Sequence, residues 1–343
     1  MDLIHPSDEA GVVEAMRATT AGDTRVLVVG GRTHMHATDA DTELWTTGLD
    51  RVVANDPAEM LCVVESGMRL GDLRRLLADG GQEWPVDEQN DATVGGVIAA
   101  DVTLPRPLRV GCLRDTVVEM VFVTGDGRRI RSGARTVKNV TGYDLHRLLT
   151  GSHGTLGVIT QVALKVRPLP KVARTLVTRE GGIELATRIL DAVPSPAAVV
   201  AEHDRVRLRL EGWPEEVAEQ ARRANEVAVL ADADPSPWLE PPFPDAAIVA
   251  QAAVVPSKLG DCVQGHERFR ALLGVGYAWV PCADATELAR IREHVATLGG
   301  VAPVVRGPGG LGAADPVTVA IGARLKAAFD PANVLAPVRP WSA

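Results

Sequence analysis

The stretch from Lys138 to Ile159 carries Gly142, Gly151, Gly154 and Gly157 and runs straight into an alternating strand. Glycine has no Cβ, so a backbone rich in it turns sharply and can lie against a flat ligand. Helices and strands are both weakened by glycine. Such a run between ordered elements therefore points to a shaped binding surface; a glycine-rich loop that binds nothing is the alternative. Upstream, Val26-Leu27-Val28-Val29 reads as a buried strand, and Gly30-Gly31-Arg32-Thr33 follows at once. Successive N–H groups in such a turn form a nest that suits a pyrophosphate, although an ordinary hairpin turn fits the same residues. A Rossmann fingerprint would need glycine at positions 30, 32 and 35; Arg32 and Met35 exclude it. A third site, Thr93-Val94-Gly95-Gly96-Val97-Ile98-Ala99-Ala100, begins with a capping threonine and continues small and apolar. It reads as a short helix whose N-terminus faces an anion or a closely packed neighbour.

The elements that must position these sites follow from periodicity. Pro6-Ser7-Asp8-Glu9 opens a first helix with acids in its first turn, and Ala10, Val13 and Met16 define its apolar face. Strands and short helices then alternate up to a hairpin around Gly125-Asp126-Gly127, with arms Val117 to Thr124 and Arg128 to Arg131. Val158, Val162, Leu164 and Val166 mark a half-buried strand, which Pro168-Leu169-Pro170 stops at a domain boundary. Beyond it, Val206, Leu208 and Leu210 alternate with arginines as an edge-like strand, and Pro214-Glu215-Glu216 starts a helix reaching about Val229. After a proline-rich loop from Pro235 to Pro244 come a strand (Ala247 to Val255), a helix (Ser257 to Leu273), a strand (Val275 to Val280) and a helix (Ala285 to Leu298). That order suits an antiparallel sheet backed by helices, an α+β unit.

Composition excludes several classes. The 343 residues hold 36 basic and 44 acidic side chains, a net charge of −8, and no basic block, which disfavours nucleic acid. Aromatic content of 3% argues against stacking platforms for single strands. Cys62, Cys112, Cys262 and Cys282 form no Cys-x-x-Cys pair, so neither an iron–sulfur cluster nor a zinc ribbon is expected within the chain, and buried thiols in a reducing cytosol are. The acidic N-terminus (Asp2, Asp8, Glu9, Glu14) lacks the pattern of a signal peptide. The longest apolar run, Ala246 to Val255, contains Gln251 and is too short to span a bilayer, so no transmembrane segment is expected. His34-Met35-His36 offers two histidines with no nearby third ligand, and no metal site is assigned.

Taken in order, these segments resemble the FAD-binding domain of the vanillyl-alcohol oxidase and p-cresol methylhydroxylase (PCMH-type) superfamily, and within it the FAD-binding subunit of bacterial glycolate oxidase. Gly30-Gly31-Arg32-Thr33 stands at the pyrophosphate loop. Glu65-Ser66-Gly67 and a helix from Leu70 to Leu77 follow, then Trp84-Pro85-Val86-Asp87, Thr93-Val94-Gly95-Gly96, Gly111-Cys112-Leu113-Arg114-Asp115 and the Lys138 to Ile159 segment. Leu325-Lys326-Ala327-Ala328-Phe329-Asp330-Pro331 matches the closing helix and Asp-Pro turn. The resemblance implies an α+β architecture. Two α+β lobes would form the FAD-binding domain over residues 1–170, a small α+β cap over 171–305 would follow, and 306–343 would return to the first domain through Gly307-Pro308-Gly309-Gly310. It implies FAD, held non-covalently, with cofactor contacts from Gly30, Gly31, Arg32, Thr33, His34, Gly67, Pro85, Thr93, Gly95, Gly96, Arg106, Arg114 and Asp115. Lys138, Asn139, Gly142, Tyr143, Asp144, Gly151, Ser152, Gly154, Gly157, Val158 and Ile159 complete that set. Covalent attachment would place a histidine directly after Gly-Gly, whereas Arg32 and Thr33 precede His34.

The implied reaction removes a hydride from the hydroxyl-bearing carbon of a small 2-hydroxy acid. Arg207 and Arg209 are candidate carboxylate clamps, a solvated strand face being the alternative, and no catalytic base is assigned. Arg106, Arg109 and Arg114 are candidates to offset phosphate charge. Without clustered cysteines of its own, the chain would pass electrons to another polypeptide or to oxygen, and a catalytic flavoprotein subunit and an iron–sulfur subunit are implied by the resemblance, in the cytoplasm or at the inner face of the membrane. A stand-alone oxidase or dehydrogenase and a non-catalytic flavin-fold scaffold are the other readings. The sequence departs from the pattern in three places. Asp101 and Leu104 stand where glycines are usual, Ala336-Pro337-Val338 replaces Asn-Pro-Gly, and Gly309-Gly310-Leu311 replaces Gly-Gly-His. By the resemblance these positions would lie on the isoalloxazine side or near the substrate pocket, so FAD anchoring is better preserved than the catalytic side.

Overall fold

The computed structural model describes residues 2–33, 39–104, 106–135, 142–234, 243–310, 312 and 316–336. Among these, the chain forms two compact units. One holds the residues up to Leu104, Cys112–Leu169 and the C-terminal segment from Pro316; the other holds the short insert around Pro107–Val110 and the stretch from Pro170 to Gly310.

The first unit carries strands β1 (Asp2–Ile4), β2 (Val26–Val29), β3 (Thr42–Trp45), β4 (Val52–Asp56), β5 (Leu61–Glu65), β6 (Gln82–Glu83), β7 (Val117–Val123), β8 (Arg129–Gly133), β9 (Val158–Lys165) and β10 (Arg167–Pro168). β1, β3 and β2 form a parallel sheet in that order. A second, antiparallel sheet runs β4-β5-β9-β7-β8, and β6 pairs with β10. Its central strand β9 is buried on nearly all its residues, because β5 and β7 pair with both its edges and the helices Glu9–Ala21 and Val94–Ala100 pack against it. The first helix, Glu9–Ala21, is capped by Asp8, whose Oδ1 accepts from Gly11 N at 2.8 Å. It buries Val12, Met16 and Thr19, a face rotated from the expected one; Ala10 is exposed and Val13 half-buried. Small and apolar residues lie all around this helix, so its period alone does not select a face. The helix Leu70–Asp79 is clearer: Leu70, Leu73 and Leu77 recur at helical spacing and are buried.

A C-terminal element completes this unit. The helix Pro316–Phe329 leads into Asp330, whose buried carboxylate accepts from Val334 N (3.0 Å) and Leu335 N (2.8 Å) and pairs with Lys326 Nζ at 2.6 Å. The same ammonium donates to the carbonyls of Thr155 (2.9 Å) and Leu335 (2.7 Å). Val26 N donates to Val334 O and Ala336 N to Val26 O, each at 2.7 Å, so the returning chain adds itself to β2.

The second unit is one antiparallel sheet of β11 (Val172–Val177), β12 (Ala198–Glu202), β13 (Val206–Gly212), β14 (Ala231–Ala233), β15 (Ile248–Ala253), β16 (Arg270–Leu272), β17 (Tyr277–Cys282) and β18 (Val304–Arg306). The order is β14-β11-β13-β12-β16-β17-β15-β18. Helices Ile183–Ala192, Pro214–Val227 and Ala285–Thr297 pack their apolar sides into its core. Two expectations are corrected. β13 is an interior strand, paired on both sides by β11 and β12, because its off-core residues find buried ionic partners rather than water. The stretch from Ser257 to Leu273 is not one helix: a 3-10 turn (Pro256–Lys258) and a helical turn (Leu259–Val263) give way to β16. Gly265 takes a left-handed φ of 80° there, and the helical ladder cannot pass it. Cys62, Cys262 and Cys282 are buried as expected, whereas Cys112 is exposed.

Candidate functional site

Three backbone segments meet around one groove in the first unit. Its lining comprises Val28 and Gly30 to Thr33 after β2; Gly95, Gly96, Ala99 and Ala100 on the helix Val94–Ala100; His153, Gly154, Gly157 and Ile159 from the glycine-rich segment; and the side chains of Thr46 and Ser66. Of the residues the sequence nominated, Gly30, Gly31, Arg32, Thr33, Gly95, Gly96, Gly154, Gly157 and Ile159 are brought together here.

The glycines are needed because main chain packs on main chain. A Cβ on Gly30 would lie 2.2 Å from Thr93 Oγ1, and one on Gly31 would lie 2.4 Å from Asp91 O. Thr93 caps the helix by accepting from Gly96 N at 3.2 Å, and Gly95 N donates to Ser66 O at 2.7 Å. The far end of the helix is tied to the glycine-rich segment: Gly151 N donates to Ile98 O (3.0 Å) and His153 N to Ala99 O (2.8 Å). Gly151 and Gly154 have φ near +80° and +77°, which only glycine adopts without strain. The groove thus has walls of peptide groups and small side chains, suited to the close approach of an extended, polar cofactor.

Electrostatics favour anion binding through the backbone rather than through a free cation. Arg32 pairs with Glu43, a buried carboxylate that also accepts from Trp45 Nε1 at 3.0 Å, and its guanidinium lies 5.0 Å over the Trp45 ring. Its charge is therefore already engaged, and peptide N–H groups remain the donors for a phosphate.

The other nominated residues lie outside this lining. Gly67 is buried where a Cβ would come within 1.9 Å of Thr46 O, which makes it a packing glycine. Pro85 and Val158 are buried, and Thr93 acts as the helix cap. Asp115 pairs with Arg147, and Arg114 is exposed beside it. Gly142, Tyr143 and Asp144 are exposed, and Ser152 has a buried hydroxyl with no hydrogen-bond partner among the described residues. Arg106 belongs to the second unit, where its Nη1 donates to Glu211 Oε1 at 3.0 Å and both side chains are buried. His34, Lys138 and Asn139 lie outside the described residues. Val28, Thr46, Ser66, Ala99, Ala100 and His153 were not nominated as contacts, although Val28 stands in the strand before the glycine turn, Ala99 and Ala100 in the third site, Ser66 beside Gly67 and His153 inside the glycine-rich run.

The clamp candidates are structured differently from a solvated face. Arg207 is buried and donates to Glu202 Oε1 at 2.9 Å, and Arg270 reaches the same oxygen at 2.8 Å. Burial pushes the Glu202 carboxyl up, but Arg207, Arg205 and Arg270 outweigh it and hold it below the ordinary range. Arg209 Nε lies 3.1 Å from Glu211 Oε1, and its Nη1 donates to Thr175 Oγ1 at 3.0 Å. Among the described residues no group of three or more His, Cys, Asp or Glu is placed to hold a metal.

The parallel β1-β3-β2 sheet and the antiparallel sheet beside it carry this glycine-walled groove. Residues 3–133 match the family described as "FAD binding domain". Over 168 residues the chain is 33% identical to glycolate oxidase subunit GlcE of Escherichia coli, covering 47% of this chain and 48% of that one. It is 36% identical over 132 residues to a D-lactate dehydrogenase of Anaerostipes hadrus (38% and 28% covered) and 31% identical over 147 residues to glycolate oxidase subunit GlcD of Bacillus subtilis (42% and 31%). The chain therefore spans about half or less of the length of these curated relatives. Among solved structures, an alkyldihydroxyacetonephosphate synthase aligns with 97% of this chain and 75% of its own at TM-score 0.69 and 14% identity, a likeness of fold.

Proposed function

We propose that the protein is an FAD-dependent oxidoreductase of small 2-hydroxy acids that works as the FAD-binding subunit of a glycolate oxidase-type complex. The observation that carries this reading is the convergence of three glycine sites on one main-chain-walled groove. Relatives named as glycolate oxidase subunits and D-lactate dehydrogenases support the substrate class. The residues fit the cofactor: Gly30 and Gly31 would present the backbone to its pyrophosphate, and His153 to Ile159 would flank its body. When bound, FAD supplies the electron sink for a hydride leaving the hydroxyl-bearing carbon. The chain's own part is to hold the cofactor extended and to exclude water with Val28, Ile159 and the small helix residues. Binding is non-covalent in this reading, residues 171–305 serve as a cap, and electrons leave through a partner subunit. The compartment is cytoplasmic or at the membrane's inner face; among the described residues no helix is long and apolar enough to cross a membrane.

The test is reconstitution. Purified protein should take up about one FAD, with a flavin absorption band, and acid precipitation should release the chromophore into the supernatant. A protein that stays colourless with excess FAD would sink the cofactor assignment, and flavin retained in the pellet would sink non-covalent binding.

A further inference from the structure

One side chain of the groove has no explanation in the fold. Ser66 follows β5 and is 1% exposed, yet its Oγ has no hydrogen-bond partner among the described residues, although Ser66 lines the groove. The neighbouring hydroxyls are occupied: Thr46 Oγ1 donates to Val29 O at 3.3 Å, and Thr93 Oγ1 accepts from Gly96 N. A buried hydroxyl left without a partner is costly, and such groups in folded proteins generally mark a missing water, ion or ligand.

The surroundings say what is missing. Ser66 sits directly beneath the start of the helix Val94–Ala100: Gly95 N donates to Ser66 O at 2.7 Å, and a Cβ on Gly95 would lie 2.7 Å from Ser66 Cβ. Gly30 approaches the same turn, where a Cβ on it would lie 3.6 Å from the Gly96 Cα. Ser66 thus lies where the Gly30 turn meets the helix start, in a part of the groove where the helix amides of Gly95 and Gly96 are already bonded and the nearby arginine, Arg32, is engaged by Glu43. We propose that Ser66 Oγ donates a hydrogen bond to a phosphate oxygen of the bound cofactor and is a cofactor-anchoring residue of this groove. The proposal rests on the FAD reading above. It explains why a polar side chain persists at a fully buried position where alanine would pack without an orphan.

Ser66→Ala separates anchoring from packing. FAD and ADP affinities are measured by calorimetry on wild-type and variant apoprotein, together with thermal melting without ligand. Ser66→Ala should weaken both FAD and ADP by about tenfold, as expected for loss of a hydrogen bond to a charged group. The ligand-free variant should melt at the same temperature or higher, because an unpaired buried hydroxyl is gone. Unchanged FAD affinity would overturn the proposal, and so would a loss confined to FAD with ADP unaffected, which would place the hydroxyl at the flavin or ribityl end. A wild-type protein that binds neither ligand would overturn the FAD reading and this inference with it, whereas wild-type binding with an indifferent Ser66→Ala overturns the inference alone.

Discussion

At the scale of single residues, the backbone explains both what was legible and what was not. Asp101 closes the helix Val94–Ala100 in a left-handed conformation (φ 47°, ψ 56°), which accounts for the glycine usual at that position. Burial pushes its carboxyl above the ordinary range, Arg114 opposing this and Asp115 adding to it. Asp101→Gly should therefore stabilise the ligand-free protein by about 1 kcal/mol, read as a rise of a few degrees in melting temperature; an unchanged or lower value would refute the strain. Gly31→Ala should weaken FAD binding at least tenfold, since the new methyl would meet Asp91 O rather than open groove; titration with near-normal affinity would show the loop to be tolerant. His146 gives a pH dependence. It is buried, its Nδ1 lies 3.2 Å from Ser132 Oγ, and burial lowers its pKa, with Asp144 opposing and Arg147 assisting. A histidine whose folded pKa is depressed contributes stability above the unfolded value near 6.5 and loses it as pH falls through the folded value. Melting temperature should fall below pH 6.5, and His146→Gln should flatten that slope; equal slopes would exclude His146 as its source. Glycines and caps were readable because they answer to local geometry. Thr46 was not, because it lies in no motif and only tertiary packing brings it to the groove.

At the scale of elements, the C-terminal latch is the feature with the largest energetic leverage. Asp330 has no solvent exposure on its side chain and holds two backbone amides and Lys326. Asp330→Ala would leave those amides without their acceptor and the ammonium without its counter-charge, costing about 3 kcal/mol. Chemical denaturation should show that loss, with Lys326→Met milder because it removes the cation and leaves the amide bonds; equal stability of Asp330→Ala and wild type would dismiss the latch. Strong periodicity made the helix Leu70–Asp79 and strands β2 and β9 readable. The failures came where tertiary pairing overrode local pattern. Arginines alternating along β13 suggested a wet edge, whereas Glu202 and Glu211 compensate them inside the sheet. The stretch from Ser257 to Leu273 read as one helix, whereas Arg270 to Leu272 is captured by β12 and β17.

At the scale of the whole molecule, the groove accounts for cofactor binding more fully than for turnover. On the subunit reading proposed above, the isolated, flavin-loaded chain should reduce its flavin with glycolate or lactate over minutes rather than seconds, or not at all, in anaerobic mixing, and dye reduction should need added partner subunits. Bleaching within seconds would instead identify a self-sufficient enzyme. The first unit is also discontinuous in sequence, and this has a consequence for synthesis. The free side of β2 is covered only when residues 334–336 pair with Val26. A ribosome adding about 5–20 residues per second needs roughly 15 to 60 s to travel from one partner to the other. For all that time a nascent chain presents an apolar strand with an open edge, the kind of surface that recruits other chains. Completion of the β2 edge is in consequence a late event in the life of each molecule, following release of residues 334–336 rather than emergence of the glycine loops.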